Sequence, residues 1–336
     1  MILGIDGNEA NVEHRVGVSW CAYYLLKEFQ KKTDKQLQIR VFLRKAPLKD
    51  MPLESEYFKY NVVKGPFLWS QIFLPLSLHL RHRDLSVFLS LAHYAPRFCP
   101  VPSVVVLHDL SYYYYPDDFL KRDLYQLVEW TKYSVKNASK VITVSESTRN
   151  DALLLYQLPE DKVVTVHNGV TLPTKYVAEG EGTINLQKPY FLYVGTLQPR
   201  KNIINLIYAF DRFAAVHPDQ HLYIVGKRGW LYDEFYKLVS ARKLEGKVHF
   251  TGYVSETDRL YLLKNAQAFI APEFYGGFGL TIPEAQSVGT PVIASETGAF
   301  PEIGGDACLY INPFSVDSIV SGIEKITGEL NLREQL

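Results

Sequence analysis

The chain has few cysteines and no surplus of charge, and both shortages narrow what it can be. Its three cysteines, Cys21, Cys99 and Cys308, are far apart in 336 residues and show no metal-ligand spacing. They read as reduced, buried thiols of a cytosolic protein, not as a disulfide framework. Thirty-six basic residues balance 36 acidic ones, so no net field gathers nucleic acid or anionic lipid. No run of apolar residues is long enough to span a bilayer. The opening MILGIDGNEA is a strand and a polar turn, without the basic and apolar regions of a signal peptide. Gly-x-Gly-x-x-Gly is missing after that first strand, which argues against a dinucleotide-binding dehydrogenase. No Asp-x-Asp pair is present to hold a metal, and no internal repeat is visible in residue identity.

What is present is an alternation of short apolar runs with longer helical patterns, the signature of parallel sheets covered on both faces. In the first half the runs predict strands over Ile2–Ile5, Leu37–Phe42, Val87–Ser90, Ser103–Leu107 and Lys140–Val144. Helices are expected over Trp20–Lys31, Trp69–Arg81, Lys121–Asn137 and Glu146–Tyr156. The pattern then restarts, with strands over Tyr190–Val194, His221–Val225, Val248–Phe250, Ala268–Ile270, Pro291–Ala294 and Ala307–Ile311. Between the halves, VVTVHNGVTLPTKYVAEGEGTINLQKP carries prolines, glycines and little apolar periodicity after Val170, and reads as a linker. The organisation expected is therefore a first domain over 1–168, a linker over 169–188 and a second domain over 189–336. Both are doubly wound α/β domains, and such sheets bind ligands beyond the carboxyl ends of their strands, here in a cleft between the domains. Pro66–His82 is amphipathic with a basic end; it suits a helix packed on the first sheet, with contact to a membrane surface as the alternative. The aromatic run Tyr112–Tyr115 reads as a surface loop or an acceptor-facing lip.

The densest chemistry lies in PEFYGGFGLTIPEAQSVGTPVIAS, Pro272 to Ser295. Gly276, Gly277 and Gly279 clear side chains from the backbone, so its N–H groups can approach an anion. Thr281 reads as the cap of a short helix with Pro283 in its first turn; Gly289, Thr290 and Pro291 end it. Glu284 has two readings: the far half of a capping box with Thr281, or a carboxylate accepting bonds from sugar hydroxyls beside a bound phosphate. In FLYVGTLQPRKN a buried strand ends at Val194, Gly195 and Thr196 turn the chain, and Arg200 and Lys201 precede a helix. Two adjacent cations at such a turn suit a diphosphate, Arg as a fork and Lys as a compact charge. In the first half, His108-Asp109 lies at the carboxyl end of a strand, and Gly17 before a helix offers a backbone-approach point.

These residues together resemble the retaining glycosyltransferases of family 4, over nearly the whole chain. GIDGNEANVEHRVGVSWCAYYLL is similar to the family's opening strand, glycine loop and helix, and VVVLHDLSYYYYP to its histidine strand. VITVSESTRNDALLLY, VHNGV, GTLQPRKN, VHFTGYVSETDRLYLLKNAQAFIAP and GGFGLTIPEAQSVGTPVIASETGAFPEI follow in the family's order. The resemblance implies a GT-B fold, two Rossmann-like domains facing across a cleft, and transfer of a hexosyl group, mannosyl or glucosyl, from a GDP- or UDP-linked sugar to an acceptor hydroxyl. It implies that Arg200 and Lys201 hold the diphosphate, with Thr196 beside them, and that Glu284 takes the ribose. The backbone through Gly276, Gly277, Phe278, Gly279, Leu280 and Thr281 would line the sugar and phosphates. Gly17 would approach the diphosphate from the first domain, His108 would orient the transferred sugar, and Tyr253 and Val254 would flank the base. Positive side chains would replace a metal, and no cofactor is implied. The acceptor would be a glycan, a lipid-linked sugar or a small molecule, in cytoplasmic glycan, polysaccharide or glycolipid biosynthesis, with peripheral contact at the inner membrane face left open. No nucleic acid and no obligate protein partner are implied.

Two departures stand out. The family has two glutamates separated by seven residues; counting back eight from Glu284 reaches Gly276, and Glu273 is three residues out of register. The family also continues past Leu336 into a helix that crosses back onto the first domain. Other readings of the same residues are a sugar-nucleotide-binding protein without transferase activity and a sugar-nucleotide epimerase.

Overall fold

The computed structural model describes residues 1–170, 184, 186–229 and 231–329. The chain forms two compact units, Met1–Gly169 and Val170–Leu336. The first is built on a seven-stranded parallel sheet: β1 (Ile2–Asp6), β2 (Gln38–Leu43), β3 (Phe58–Val62), β4 (Val87–Ser90), β5 (Ser103–Leu107), β6 (Lys140–Thr143) and β7 (Val163–Thr165), in the order β3-β2-β1-β4-β5-β6-β7. Register pairs Asp6 with Phe42 on one side and with Ser90 on the other, so the carboxyl ends of β1 and β4 lie level. The inner strands read as near-continuous apolar runs because helices cover both faces: Ile5, Val41, Phe42, Phe88, Val105, Leu107 and Val141 are all fully buried. Each such side chain contributes about 1.5–3 kcal/mol of burial.

The second unit repeats the plan with six parallel strands: β8 (Tyr190–Val194), β9 (His221–Val225), β10 (Val248–Gly252), β11 (Ala268–Ala271), β12 (Val292–Ser295) and β13 (Leu309–Ile311). Their order is β10-β9-β8-β11-β12-β13. One face packs Phe191, Tyr193, Phe210 and Phe213 with Ile319 and Ile323; the other packs Tyr190, Leu192, Leu263, Ile282, Ala285 and Phe300. Successive strands run outward from β8 in one direction and from β11 in the other. The β8/β11 boundary is thus the switch point at which the loops leaving the sheet diverge and leave a crevice.

Several elements depart from the sequence expectations. β3 is an added strand with one buried residue, Phe58, and pairs only with β2, so it lacks the apolar signal of an inner strand. β7 is a three-residue edge strand inside the segment read as linker. Residues 171–183 and 185 of that linker lie outside the described residues, as do 330–336, where the question of a terminal helix falls. The expected helix Trp69–Arg81 begins with a wider turn over Trp69–Phe73 before regular helix over Leu74–Arg81, and Lys121–Asn137 carries a similar turn at Gln126–Trp130. The tyrosine run is no surface loop. Ser111–Tyr114 is a helical turn, and Tyr112 is buried with its hydroxyl 2.8 Å from that of Tyr156. Cys308 is buried, whereas Cys21 and Cys99 are half-buried, and all three are free thiols.

Candidate active site

The loop after β8 carries Gly195, Thr196 and a single helical turn, Pro199–Lys201, so Arg200 and Lys201 sit at the carboxyl end of the strand on one side of the switch point. The loop after β11 carries Glu273 and the glycines on the other side. The two loops are bonded together. Lys201 Nζ lies 3.2 Å from Glu273 Oε1, with the side chains 20% and 8% exposed. The Phe274 amide donates to the Arg200 carbonyl at 3.1 Å, and Asn202 Nδ2 donates to the carbonyls of Pro272 (2.8 Å) and Pro313 (2.7 Å). The structure therefore brings Lys201 and the glycine-rich loop to one place in the unit.

Beneath this junction lies a set of buried polar atoms without hydrogen-bond partners: Glu273 Oε2, Arg200 Nε and the Tyr193 hydroxyl. Burial drives the Tyr193 hydroxyl well above its ordinary range, the Glu273 carboxylate adds to the rise, and the Arg200 guanidinium opposes it. Unpaired buried groups each cost about 1–3 kcal/mol, a cost that folded proteins carry mainly where function or bound water explains it.

Gly276, where the family has its first glutamate, has no room for a side chain. A Cβ there would collide with the Phe300 ring, which is itself buried, and a Cβ at the neighbouring Gly279 (φ +84) would strike the same ring. The Gly276 carbonyl accepts from the Ala299 amide at 3.0 Å, locking the loop against the β12 turn. The loop runs on through Gly277, Phe278 and Leu280 into the helix Thr281–Ser287. Here one expectation is corrected. Leu280, not Thr281, occupies the cap position, already helical at φ −47 and ψ −34, and no side chain caps the helix. The chain enters the helix directly from Gly279, whose carbonyl accepts from the Ile282 amide at 2.9 Å, so Thr281 is inside the first turn and the capping-box reading of Glu284 is lost.

Glu284 is instead ion-paired with Arg259, at 16% and 18% exposure. Burial raises the Glu284 carboxyl above the ordinary glutamate value, and the Arg259 guanidinium opposes that rise. Arg259 lies on the helix Glu256–Asn265, capped by Ser255, whose Oγ accepts from the Asp258 amide at 3.0 Å. Tyr253, 42% exposed, and Val254, packed on the core, form the turn between β10 and that helix. Arg259, Glu273 and Phe300 are the residues that sequence reasoning missed as partners. Each is chosen by a neighbour far along the chain, and no local motif marks it.

In the first unit, His108 follows β5 and is buried, with Nε2 2.7 Å from the Leu91 carbonyl. A carbonyl only accepts, so Nε2 carries the proton and Nδ1 keeps its lone pair. Burial, with a smaller effect from His93, takes the ring down to about 4, so it is neutral at physiological pH. The His93 ring centroid is 5.9 Å away, on a residue at φ +39. Asp6, at the end of β1, is raised by burial to about 6. Gly17 is the first residue of the helix Gly17–Lys31, not the residue before it; its φ is +33 and a Cβ there would meet open space.

Comparison with known proteins places this geometry. The model for Glycosyltransferase Family 4 matches residues 17–172, and that for Glycosyl transferases group 1 matches residues 178–336. O-antigen chain mannosyltransferase B of Escherichia coli is 34% identical over 241 residues, 69% of this chain and 63% of that protein. O-antigen chain mannosyltransferase RfbU of Salmonella typhimurium is 30% identical over 66% of this chain and 60% of its own length. The matched region thus spans a little under two thirds of these relatives. Among solved structures, Anabaena HepE in complex with UDP and glucose superposes with a TM-score of 0.74 at 19% identity, covering 99% of this chain and 91% of its own. WaaG, a glycosyltransferase involved in lipopolysaccharide biosynthesis, does so with a TM-score of 0.73 at 16% identity, covering 99% and 92%. With two parallel-sheet α/β units, two consecutive family matches and these neighbours, the chain belongs to the family 4 glycosyltransferases and has the GT-B fold.

Proposed function

We propose that the protein transfers a hexosyl group, mannosyl or glucosyl, from a nucleoside-diphosphate sugar to an acceptor hydroxyl in glycan, polysaccharide or glycolipid biosynthesis. The observation that carries this reading is the junction at the β8/β11 switch point, where Lys201 meets Glu273 beside a glycine loop with no side chain at Gly276 or Gly279. Cations beside a stretch of backbone that carries no side chains suit a diphosphate. The mannosyltransferase relatives and the UDP-sugar complexes of the structural neighbours support donor and reaction class.

In this proposal Arg200 and Lys201, with Thr196 and the backbone from Gly276 to Thr281, hold the diphosphate. Glu273 keeps Lys201 in place from behind; Glu284, fixed by Arg259, accepts the ribose hydroxyls, and the Tyr253-Val254 turn flanks the base. The bond from the sugar C1 to the diphosphate oxygen breaks as the bond from C1 to the acceptor oxygen forms, and the acceptor proton passes to the departing phosphate. Attack from the leaving-group side retains the anomeric configuration. Charge developing on the diphosphate is met by Arg200 and Lys201, in the role a metal plays elsewhere, which is electrostatic stabilisation aimed where charge appears. His108, neutral and with a free lone pair at Nδ1, orients the sugar; Gly17 adds a backbone amide.

The test is a panel of UDP-, GDP- and ADP-hexoses, read first by thermal shift and then by product analysis with oligosaccharide acceptors. One donor should stabilise the fold more than its free nucleotide and yield a glycoside of unchanged anomeric configuration by NMR, with chelator present. Binding without transfer or hydrolysis across the panel would leave only a sugar-nucleotide-binding protein, and an altered free sugar without acceptor would make it an epimerase.

A further inference from the structure

The loops that leave β8, β11, β12 and β13 are tied into one frame, and an aromatic pair stands on it. Asn202, the residue after Lys201, is buried and holds the carbonyls of Pro272 and Pro313 through Nδ2; Asn205 Nδ2 adds a bond to the Pro313 carbonyl at 3.3 Å. Thr297 Oγ1 donates to the Phe274 carbonyl at 3.1 Å, and the Glu296 amide donates to the Ile311 carbonyl at 2.9 Å. On this frame Phe274 and Phe314 stack, with ring centroids 5.0 Å apart and planes 22° from parallel. Phe274 is half-buried, whereas Phe314 is 64% exposed. An exposed ring needs no explanation by itself, but this one is held in place. The Phe314 amide donates to Asn312 Oδ1 at 2.9 Å, and the next residue, Ser315, caps the helix Val316–Gly328 by accepting from the Ser318 amide at 3.2 Å. A ligand stacking on Phe314 therefore has little loop to order.

The surroundings decide what the ring takes. Glu296 and Asn312 are exposed on the same loops. Among the described residues of the second unit, the other exposed large apolar side chains lie elsewhere: Val216 at the end of the helix before β9, Leu231 after β9 and Tyr253 after β10. One flat apolar ring beside hydrogen-bonding side chains is too small for a protein or lipid surface. It matches a pyranose, which offers a face of C–H groups and a rim of hydroxyls. Position excludes the nucleotide base as the occupant. β13 is the edge strand opposite β10, whose loop is assigned to the base, and it lies two strand spacings, about 10 Å, from β11.

We propose that Phe314, backed by Phe274, is a stacking platform for a pyranose ring of the acceptor, at least one sugar away from the hydroxyl that is glycosylated. The acceptor is then a glycan of two or more sugars, free or lipid-linked, and not a single sugar or other small molecule. The inference rests on the transfer reading above and names its acceptor class.

The experiment is saturation-transfer NMR titration of the full chain, without donor, with α-mannotriose, maltotriose and chitotriose and with the matching monosaccharides, beside calorimetric titration of UDP and GDP. Wild type should bind at least one trisaccharide more tightly than its monosaccharide. Phe314→Ala should raise that Kd about threefold to tenfold, whereas Phe314→Tyr, which keeps the ring, should stay within about twofold. Affinity for the nucleoside diphosphate should be the same in all three proteins. Val216→Ser, at an exposed site on another loop, should change neither. Circular dichroism melts matching wild type show that each variant is folded. No saturation transfer to any trisaccharide, or equal trisaccharide affinity in wild type and Phe314→Ala, would overturn the platform, and diphosphate binding in the same samples would leave the transfer reading standing. A trisaccharide bound through Phe314 with neither diphosphate bound would uphold the platform and remove the transfer reading.

Discussion

Gly276 and Phe300 behave as one structural decision, and Gly276→Ala exposes it. The added Cβ would overlap ring carbons of Phe300, a side chain 1% exposed. The ring is buried, and a Cβ added at Gly279 would also fall 2.7 and 2.9 Å from its edge, so the loop backbone lies close along the ring. Overpacking of this kind costs about 1–3 kcal/mol, and the burial of the ring puts this site near 2–3 kcal/mol. For a unit of this size that is a fall in Tm of about 4–10 °C. Phe300→Leu alone should cost about 1 kcal/mol as a cavity. Combined with Gly276→Ala it should cost less than the sum by about 1–2 kcal/mol, since the missing ring is what the new methyl strikes. The assay is urea denaturation of the four proteins of the cycle, following the transition of the second unit. Gly276→Ala within 0.5 kcal/mol of wild type, or strict additivity, would refute the packing argument. With Phe300 in place, no side chain fits at the position where the family has its first glutamate.

Other outcomes follow from the same geometry. Lys201→Ala should remain folded and lose about 30- to 1000-fold in kcat/KM, the scale of one lost charge-assisted contact of about 2–4 kcal/mol; unchanged turnover would remove its assigned role. Glu273→Ala should leave Lys201 without its buried partner and lower both Tm and affinity for a nucleoside diphosphate, while affinity for the monophosphate stays near wild type. Arg259→Met should strand the Glu284 carboxylate, whose folded value is already raised by burial. The variant's stability deficit should therefore be small below the ordinary glutamate value of about 4.3 and grow as pH rises through it, measured by denaturation between pH 4 and 7.5. His108 sits near 4 in the folded protein against an ordinary 6.5. The unfolded chain thus binds the extra proton, and stability should fall as pH drops from 6.5 toward 4, by up to about 3 kcal/mol. His108→Gln should flatten that acid limb, and an unchanged limb would mean that other groups cause it.

Inner strands were legible in the sequence, and edges were not. β4, β5, β8 and β9 run over the residues their apolar runs predict, because strands buried on both faces leave no polar position to blur the pattern. β3, FKYNV, needs only one buried side chain and so carries almost no signal. In the site, the residue types were readable: paired cations at a strand-to-helix turn, a glycine loop, a carboxylate eight residues on from Gly276. Their partners were not. Glu273 is 72 residues from Lys201 and Arg259 is 25 from Glu284, and parallel crossovers bring each pair together only once the sheet has formed. Thr281 misled because the cap rule assumes an extended residue before the helix, whereas Leu280 is already helical.

The proposed transfer requires a diphosphate seated at the Arg200–Lys201 turn and the glycine loop. Calorimetric titration of UDP and GDP, each against its monophosphate, on wild type and on a Lys201→Met variant measures this directly. Wild type should bind one diphosphate at least tenfold more tightly than the matching monophosphate, and the variant should lose most of that ratio. Equal affinity for the two nucleotides, or a ratio unaltered by the substitution, would contradict the assignment.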